Sequence, residues 1–252
     1  MASDSSEKSD LQEREYDFPY HHLPYLTPRG FAVRYRAMAW GFEYLCYLAH
    51  VRELVHSLAP DSCLDVGCGD GRLLGLLGPR VPRRAGADLS ERAVAHARAF
   101  HPDVEFHVAD PADVPGVFDV VTAIEVLEHI PDGDTGRFLR ELARHARPGG
   151  HVVLSVPTVA VPRAPKHHRH YDEQLLRRQV QESGAVLSFA RVEHVCRRSA
   201  LVDWYVKLGL TRFWFVDIRP LSYAAWRYTW KKLRHADART GTHLVALLRK
   251  EE

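Results

Sequence analysis

Residues 64–71 read LDVGCGDG, a short apolar strand that runs directly into a turn containing Gly67, Gly69 and Gly71. Glycine has no Cβ, so such a turn can bend tightly and let the backbone approach a ligand. In an open α/β sheet this turn lies at the carboxyl edge of the strands, where ligands bind. The spacing matches neither the GxGxxG dinucleotide fingerprint nor the P-loop motif. The sequence therefore predicts a ligand site outside those two classes.

Strands and helices alternate around this turn. The apolar runs CLDVG, RAGADL, VEFHVAD, FDVVTAIEV and GGHVVLSVP read as strands separated by helical segments, with Ser90 as the N-cap of SERAVAHARAF. Residues 172–183 predict a helix that ends at Gly184, and residues 186–195 and 242–249 predict two more strands. Such alternation predicts βαβ units and a sheet with helices on both faces. We expect an α/β, Rossmann-like fold with a mostly parallel seven-stranded sheet.

The remaining segments predict the domain organisation. Residues 1–17 carry six acidic against two basic residues and few apolar groups, which predicts a disordered tail. Residues 18–61 are expected to form an N-terminal cap segment followed by one or two helices over residues 31–58. Residues 62–252 are expected to form the main domain, with a helical insertion at 197–240. In that insertion, residues 197–234 hold four of the five tryptophans and nine Lys or Arg against two Asp.

The composition excludes several classes of protein. The 252 residues are 46% hydrophobic and 26% charged, with a net charge of +2, which excludes disorder throughout and gives no charge argument for nucleic acid. No run of about 18 apolar residues is present, and the first residues lack a signal-peptide core. Cys46, Cys63, Cys68 and Cys196 form no CxxC pair. We therefore expect a cytoplasmic protein with reduced thiols.

Acidic residues occur in three consecutive strand segments. Asp65 lies in the first strand, Asp88 ends the second, and Asp110 ends the third in the motif VAD. A carboxylate in the position of Asp88 can accept both hydroxyls of a ribose. Asp110 can accept from an exocyclic adenine amine. The pattern predicts an adenine nucleoside at the carboxyl edge of the sheet.

With these motifs the chain resembles the class I S-adenosylmethionine-dependent methyltransferases. The resemblance rests on LDVGCGDG, GADLS, VAD, FDVVTAIEVLEHI and PGGHVVLSVP, which cover residues 62–157. It implies S-adenosylmethionine as cofactor, held by Asp65, Gly67, Gly69, Asp88, Leu89, Ala109, Asp110 and Glu125. Gly67 and Gly69 would line the methionine moiety, with Asp65 near its amino group. The ribose would lie on Asp88, and the adenine would lie near Asp110, flanked by Leu89 and Ala109.

The motif EVLEH places Glu125, Glu128 and His129 at helical spacing, directly after an apolar strand. On a helix these three residues share one face. Two carboxylates and an imidazole suit a divalent ion such as Mg²⁺ or Mn²⁺. The later loop KHHRHYD, with His167, His168 and His170, reaches the same edge of the sheet.

Two branches of the family resemble this arrangement. The ubiquinone-biosynthesis O-methyltransferases share the ExxEH element, and in the small-RNA 2′-O-methyltransferases a later His joins it. The resemblance matches that later ligand to His168, so the expected metal ligands are Glu125, Glu128, His129 and His168. The motifs that surround the site in the RNA enzymes are absent here. The alternative is a site without a metal, in which Glu125 lies near the cofactor, His167 and His168 are solvated and only His170 points inward.

The function that the sequence favours is O-methylation of a hydroxyl on a sugar, glycan or catechol-like small molecule, assisted by a divalent metal. His129 or His170 is the expected catalytic base, since a neutral imidazole can take the proton of a hydroxyl. RNA 2′-O-methylation, a lipid or quinone acceptor, and a non-catalytic cofactor-binding protein stay open as alternatives. The aromatic, basic insertion fits an RNA contact, a peripheral membrane contact, a homodimer interface or a packed lid.

Overall fold

The computed structural model describes residues 7, 8, 10, 11, 13, 25, 26, 32, 33, 41–209, 216 and 218–251. Its strands are β1 Tyr25–Leu26, β2 Ala32–Val33, β3 Ser62–Val66, β4 Arg83–Asp88, β5 Glu105–Val108, β6 Phe118–Ile124, β7 Ala146–Pro157, β8 Leu187–Arg197, β9 His235–Ala236 and β10 Gly241–Lys250. Its α-helices are α1 Gly41–Ser57, α2 Arg72–Leu77, α3 Glu91–Phe100, α4 Thr135–His145, α5 Glu173–Glu182, α6 Ala200–Gly209 and α7 Arg219–Tyr228. A π-helical turn, Thr229–Leu233, follows α7.

The main sheet has the strand order β5-β4-β3-β6-β7-β10-β8-β9. The first five strands are mutually parallel, and β10 is antiparallel to both of its neighbours. The predicted Rossmann-like architecture with a mostly parallel sheet is confirmed. Because β10 runs in the opposite direction, its first residues lie at the carboxyl edge of the parallel strands, where His243 is opposite Pro157.

The sheet has eight strands in the described residues, which corrects the predicted seven. The additional strand is β9, whose residues Ala236 and His235 pair with His194 and Val195 of β8. Two residues are too few to show the alternation of apolar and polar positions by which a strand is recognised in a sequence. This edge strand lies inside the predicted insertion.

The sheet separates two hydrophobic cores. On one face, Leu45 of α1 and Leu74 of α2 pack with Trp226 of the insertion. On the other face, Leu139 of α4 and Leu176 of α5 pack against the strands. All four cysteines are buried and none forms a disulfide. Both faces of the central strands are therefore covered, as a parallel sheet requires.

The prediction of helix over residues 31–58 is wrong at residues 32 and 33. Ala32 and Val33 form β2, which pairs with β1 in an antiparallel two-stranded sheet, and the described helix α1 begins at Gly41. The apolar residues of this segment have helical spacing, but the backbone of β2 makes its hydrogen bonds with β1 instead of within a helix. Residues 31 and 34–40 lie outside the described residues.

Other predicted helix ends are confirmed. Ser90 accepts a hydrogen bond from Ala93 N and so caps α3. Asp172 caps α5 in the same way, and Gly184 follows that helix with a φ of 68°.

Part of the predicted disordered tail is described. Glu7, Lys8, Asp10, Leu11 and Glu13 have helical conformation, and the other residues of 1–17 lie outside the described part. The Glu13 carboxylate lies 4.0 Å from Arg92 Nε on α3, which links this segment to the main domain. Among the helices that the structure describes, none has the length and hydropathy needed to cross a bilayer.

Candidate functional site

The glycine turn after β3 is fixed to the neighbouring strand by backbone hydrogen bonds. Gly67 N and Cys68 N both donate to the carbonyl oxygen of Ala87, at 2.7 and 3.0 Å. Gly67 has a φ of 73°, and a Cβ at this position would collide with the Val126 side chain. Only glycine satisfies both conditions without strain, so the turn is held close to the chain that follows β6.

Asp88, at the end of β4, completes the turn. Its two carboxylate oxygens accept hydrogen bonds from Gly69 N and Ser90 N, both at 2.9 Å. Burial raises the pKa of Asp88, while these backbone donors oppose the rise. Asp88 therefore shapes the turn and also faces the cleft described below.

Asp65 lies beneath the turn. It is buried, and Thr122 Oγ1 donates to it at 2.6 Å. Burial raises the pKa of Asp65 to about 7, although the Thr122 hydrogen bond favours the charged form. The structure thus places Asp65 behind the cleft wall, joined to β6.

A cleft of about 460 Å³ lies at the carboxyl edge of the sheet. This volume is within the usual range for a small-molecule site. Of the eight residues assigned to the cofactor from the sequence, all but Asp65 and Gly69 line it: Gly67, Asp88, Leu89, Ala109, Asp110 and Glu125. Lys8 and Glu13 of the N-terminal segment also line the cleft. The sequence thus located this cleft from the ends of three strands.

Asp110 has a partner that the sequence did not indicate. Arg137 of α4 donates to both carboxylate oxygens of Asp110, at 3.1 and 3.3 Å, and Ala112 N donates at 2.9 Å. The Arg137 guanidinium holds the pKa of Asp110 below its usual range. Asp110 is therefore ionised at neutral pH and can accept a donor at the cleft rim.

The EVLEH segment is not an α-helix, which corrects the predicted arrangement on one helical face. Leu127–His129 is a single 3₁₀ turn, and Glu125 has a φ of 59°. Glu125 N donates to the carbonyl of Ser155, and Ser155 Oγ donates to Glu125 Oε1 at 2.7 Å. These contacts turn Glu125 toward β7.

Glu125 also lies beside an imidazole. His243 Nε2 is 3.5 Å from Glu125 Oε2, and the His243 ring packs on Tyr47 with 4.1 Å between ring centroids. Burial raises the pKa of Glu125 to about 7 and lowers the pKa of His243 to about 3. At pH 7 the His243 ring is therefore neutral, and the Glu125 carboxyl is about half protonated.

Glu128, His129 and His167 come together on the other side of the turn. One ligand atom from each lies within 4.8 Å of the others, a spacing that can hold a metal ion. Glu128 is fully buried, and neither carboxylate oxygen receives a hydrogen bond from any described residue. Burial and the charge of Glu125 raise its pKa. A buried carboxylate without hydrogen bonds is costly and needs a cation or a proton.

The hydrogen bonds of the histidines determine which nitrogens are available. His170 Nδ1 lies 3.1 and 3.0 Å from the carbonyl oxygens of Thr158 and Val161. Since a carbonyl only accepts, Nδ1 of His170 carries the proton, and its Nε2 accepts from His167 Nδ1 at 2.8 Å. His167 thus keeps an Nε2 lone pair.

The same argument applies to His129. Its Nδ1 donates to the carbonyl of Lys166 at 3.3 Å, and its Nε2 lies 3.8 Å from Glu128 Oε1. Burial lowers the pKa of His129 to about 4 and that of His167 to about 3. Both rings are neutral at pH 7, which is the form that binds metals.

His168 is the residue for which placement differs most from the sequence analysis. Its backbone N donates to the carbonyl of Glu128 at 2.8 Å, and the residue lines the cleft. The group close enough to share an ion contains His167 instead, and it does not contain Glu125. His170 lies one hydrogen bond further away, behind His167.

Three site residues were missed by the sequence analysis: Arg137, Ser155 and His243. Arg137 and Ser155 lie within predicted elements and carry no local signal. His243 is the second residue of the predicted final strand, and the antiparallel direction of β10 brings it to the ligand edge. The direction of a last strand cannot be taken from its apolar pattern.

Comparison with known proteins gives one family match and several relatives. A family model described as a methyltransferase domain matches residues 38–212. A probable S-adenosylmethionine-dependent methyltransferase of Mycolicibacterium smegmatis is 35% identical over 109 residues, which cover 42% of each chain. A ubiquinone biosynthesis O-methyltransferase of Alkalilimnicola ehrlichii is 35% identical over 117 residues, covering 43% of this chain and 46% of that protein. The chain therefore matches less than half the length of these curated relatives.

A solved structure shows the same fold. The N-methyltransferase NodS from Bradyrhizobium japonicum, in complex with S-adenosylhomocysteine, superposes with a TM-score of 0.56 at 18% identity. The superposition covers 84% of this chain and 88% of NodS. At this identity the likeness extends to the architecture alone.

Proposed function

Because this chain belongs to the methyltransferase-domain family, the class I S-adenosylmethionine-dependent enzymes, we propose that it methylates a hydroxyl oxygen with the help of a divalent cation. The acceptor class is a sugar, a glycan or a catechol-like small molecule. The observation that carries the proposal is the buried Glu128 carboxylate, which lies beside two neutral imidazoles and receives no hydrogen bond from the described residues.

The cofactor half of the site is built from the strand ends. S-adenosylmethionine, when bound, supplies an electrophilic methyl group on a sulfonium sulfur. Asp88 offers carboxylate oxygens to the ribose, and the ionised Asp110 offers an acceptor to the adenine amine. Gly67 lines the cleft, so its backbone can contact the methionine moiety without an intervening side chain. These residues bind and orient the cofactor at one end of the cleft.

The residues on the other side of the EVLEH turn fit a divalent ion. Glu128, His129 and His167 provide one carboxylate and two neutral imidazoles, the ligand types that Mn²⁺ and similar ions accept. His170 and the Lys166 carbonyl orient the two rings through their other nitrogens. An ion bound there lowers the pKa of a hydroxyl that it contacts. Glu125, held by Ser155, remains on the cofactor side.

In the alternative in which no ion is bound, His129 is the proposed catalytic base. It lines the cleft, it is neutral at pH 7, and its Nε2 lone pair can accept the proton of the acceptor hydroxyl. His170 acts through His167 and is a positioning residue, because both of its ring nitrogens are hydrogen-bonded within the protein.

Transfer to oxygen is supported by the relatives. The matched protein of Alkalilimnicola ehrlichii is named an O-methyltransferase of ubiquinone biosynthesis. The same name makes a quinone-type lipid the second candidate acceptor. The match covers less than half of that protein, so its name supports the reaction class more directly than the acceptor.

The test is calorimetric binding of S-adenosylhomocysteine and Mn²⁺ to the wild type, Glu128→Gln and the control Glu182→Gln, which removes an exposed carboxylate. We expect the wild type and Glu182→Gln to bind both S-adenosylhomocysteine and Mn²⁺. Glu128→Gln should bind S-adenosylhomocysteine alone. Methylation of catechols or sugar diols should then stop with EDTA and return with Mn²⁺. Absence of nucleoside binding would overturn the whole proposal. Nucleoside binding without an Mn²⁺ signal, also in the presence of a catechol, would overturn its metal part.

A further inference from the structure

The insertion between β8 and β10 exposes an unusual amount of apolar surface. Leu201 and Trp204 on α6 are 63% and 61% exposed, and Val216, Ile218, Leu221 and Tyr228 are also exposed. No other stretch of similar length in the described residues exposes as many large apolar side chains. This concentration of exposed apolar side chains favours an interaction site.

The exposed side chains are not the packing face of these helices. On α6 the buried residues are Val202, Val206 and Gly209, on the side opposite Leu201 and Trp204. On α7 Ser222 and Trp226 are buried, and the Ser222 hydroxyl shares a hydrogen bond with Tyr205 of α6. Each helix therefore already packs on the protein through one buried face. The exposed apolar residues form a second face, which is open to solvent.

Exposed basic residues occur on the same elements. Lys207 on α6 is exposed, as are Arg219 and Arg227 on α7 and Lys231 and Lys232 in the π-helical turn. Residues 197–234 hold nine Lys or Arg against two Asp, whereas the whole chain has a net charge of only +2. The positive charge is thus concentrated where the apolar side chains are exposed.

We propose that this face of α6, α7 and the π-helical turn docks on an anionic phospholipid bilayer. Exposed aliphatic and Trp side chains enter the boundary between headgroups and acyl chains, and neighbouring Lys and Arg contact the headgroups. A second copy of the chain would bring two strongly basic surfaces together and is disfavoured by charge. An RNA contact would call for aromatic residues that stack on bases, whereas Leu201, Val216, Ile218 and Leu221 are aliphatic.

The docking face is connected to the cleft through α1. The Phe42 ring of α1 lies 6.3 Å from the Tyr205 ring of α6, and Tyr47 of the same helix packs on His243 beside Glu125. One helix thus separates the docking face from the cleft. This position suits delivery of an acceptor from the membrane, but docking itself does not depend on methyl transfer.

The experiment is co-sedimentation of the full chain with vesicles of phosphatidylcholine alone or with 30% phosphatidylglycerol, at low and high salt. We expect binding to the anionic vesicles, released by salt, and about tenfold or greater loss in Leu201→Ser/Trp204→Ser and in Lys231→Glu/Lys232→Glu. The matched controls are Val117→Ser/Val186→Ser, which removes apolar side chains exposed elsewhere, and Arg80→Glu. They should bind as the wild type does.

Three results would overturn the proposal. The first is no binding to anionic vesicles, and the second is binding that the surface variants leave unchanged. The third is that the wild type forms a dimer or an RNA complex and does not bind vesicles, and that Leu201→Ser/Trp204→Ser disrupts this dimer or complex. Calorimetry with S-adenosylhomocysteine on the same variants separates this test from the proposed function, because the nucleoside should bind to all of them with unchanged affinity.

Discussion

Ser155, near the end of β7, donates a 2.7 Å hydrogen bond to Glu125, the residue that follows β6. Glu125 N returns a hydrogen bond to the Ser155 carbonyl at 2.9 Å, so the two neighbouring strand ends are joined twice. This double link holds Glu125 in a left-handed conformation that costs energy for any residue with a Cβ. It also directs the chain so that Glu128 and His129 face His167.

The Glu125 carboxyl should make stability of the unliganded protein depend on pH. Its pKa is about 7 in the folded protein and near 4.5 when unfolded, so folding penalises the ionised form and stability is lost as pH rises through 7. Glu125→Gln removes this dependence. The variant should gain on the order of 2 kcal/mol over the wild type at pH 8.5 and almost nothing at pH 4.5. Urea unfolding at both pH values measures the difference, and a gain independent of pH would contradict it.

Removal of the Asp88 carboxylate should weaken cofactor binding. Asp88→Ala takes away the acceptor for Gly69 N and Ser90 N and the proposed contact with the ribose. We expect S-adenosylhomocysteine to bind about tenfold to a hundredfold more weakly, from the usual strength of hydrogen bonds to a charged group. Calorimetry measures this, with Asp113→Ala as the control, because Asp113 is an exposed acid near the same edge. Equal losses in the two variants would rule out a specific role of Asp88.

Neighbouring histidines should differ in their effect on metal binding. His167→Asn removes a member of the group formed with Glu128 and His129, whereas His168→Asn keeps the backbone hydrogen bond to Glu128. Mn²⁺ affinity should fall about tenfold or more in His167→Asn and stay near the wild-type value in His168→Asn. Electron paramagnetic resonance titration of Mn²⁺ measures both. The opposite order would show that His168 supplies the ligand.

An alanine at Gly67 should destabilise the fold for two separable reasons. The left-handed φ of 73° disfavours any Cβ, and the added methyl would also collide with Val126. The expected loss is about 2–4 kcal/mol of unfolding free energy. Gly149→Ala is the control, because Gly149 has a similar φ of 69° but no atom within 4 Å of an added Cβ. It should lose only about 1–2 kcal/mol.

A double substitution identifies the collision. In Gly67→Ala/Val126→Ala the clashing side chain is shortened, so the two substitutions should be less harmful together than the sum of their separate effects. Chemical denaturation of the four proteins gives this coupling directly. Simple additivity would mean that backbone strain alone accounts for the loss at Gly67.

The sequence was informative where structure depends on local pattern. The strands β3 to β7 follow from their apolar runs, and the cleft residues Asp88 and Asp110 follow from their positions at strand ends. Parallel strands bring such ends to one edge of a sheet, so no further contact was needed for that prediction.

The site details that were not predicted depend on contacts between distant residues. Glu125 is 30 residues before Ser155, and the hydrogen bonds between them replace the expected helix by a sharp turn. The structure places His167 in the group with Glu128 and His129, and the Glu128 carbonyl accepts the backbone N of His168. Neither interaction has a signature in the order of residues alone.

The alkylation rates of the buried cysteine thiols can measure where the folded protein opens locally. Cys68 lies in the glycine turn and Cys46 in α1, both buried, and burial also raises the pKa of the Cys68 thiol. Alkylating reagents attack only an accessible thiolate, so the rate of labelling at each cysteine follows the frequency with which its surroundings open. Nucleoside binding should protect Cys68 more than Cys46. The same peptide map would therefore report on the cofactor turn and on the helix beside the docking face in one labelling experiment.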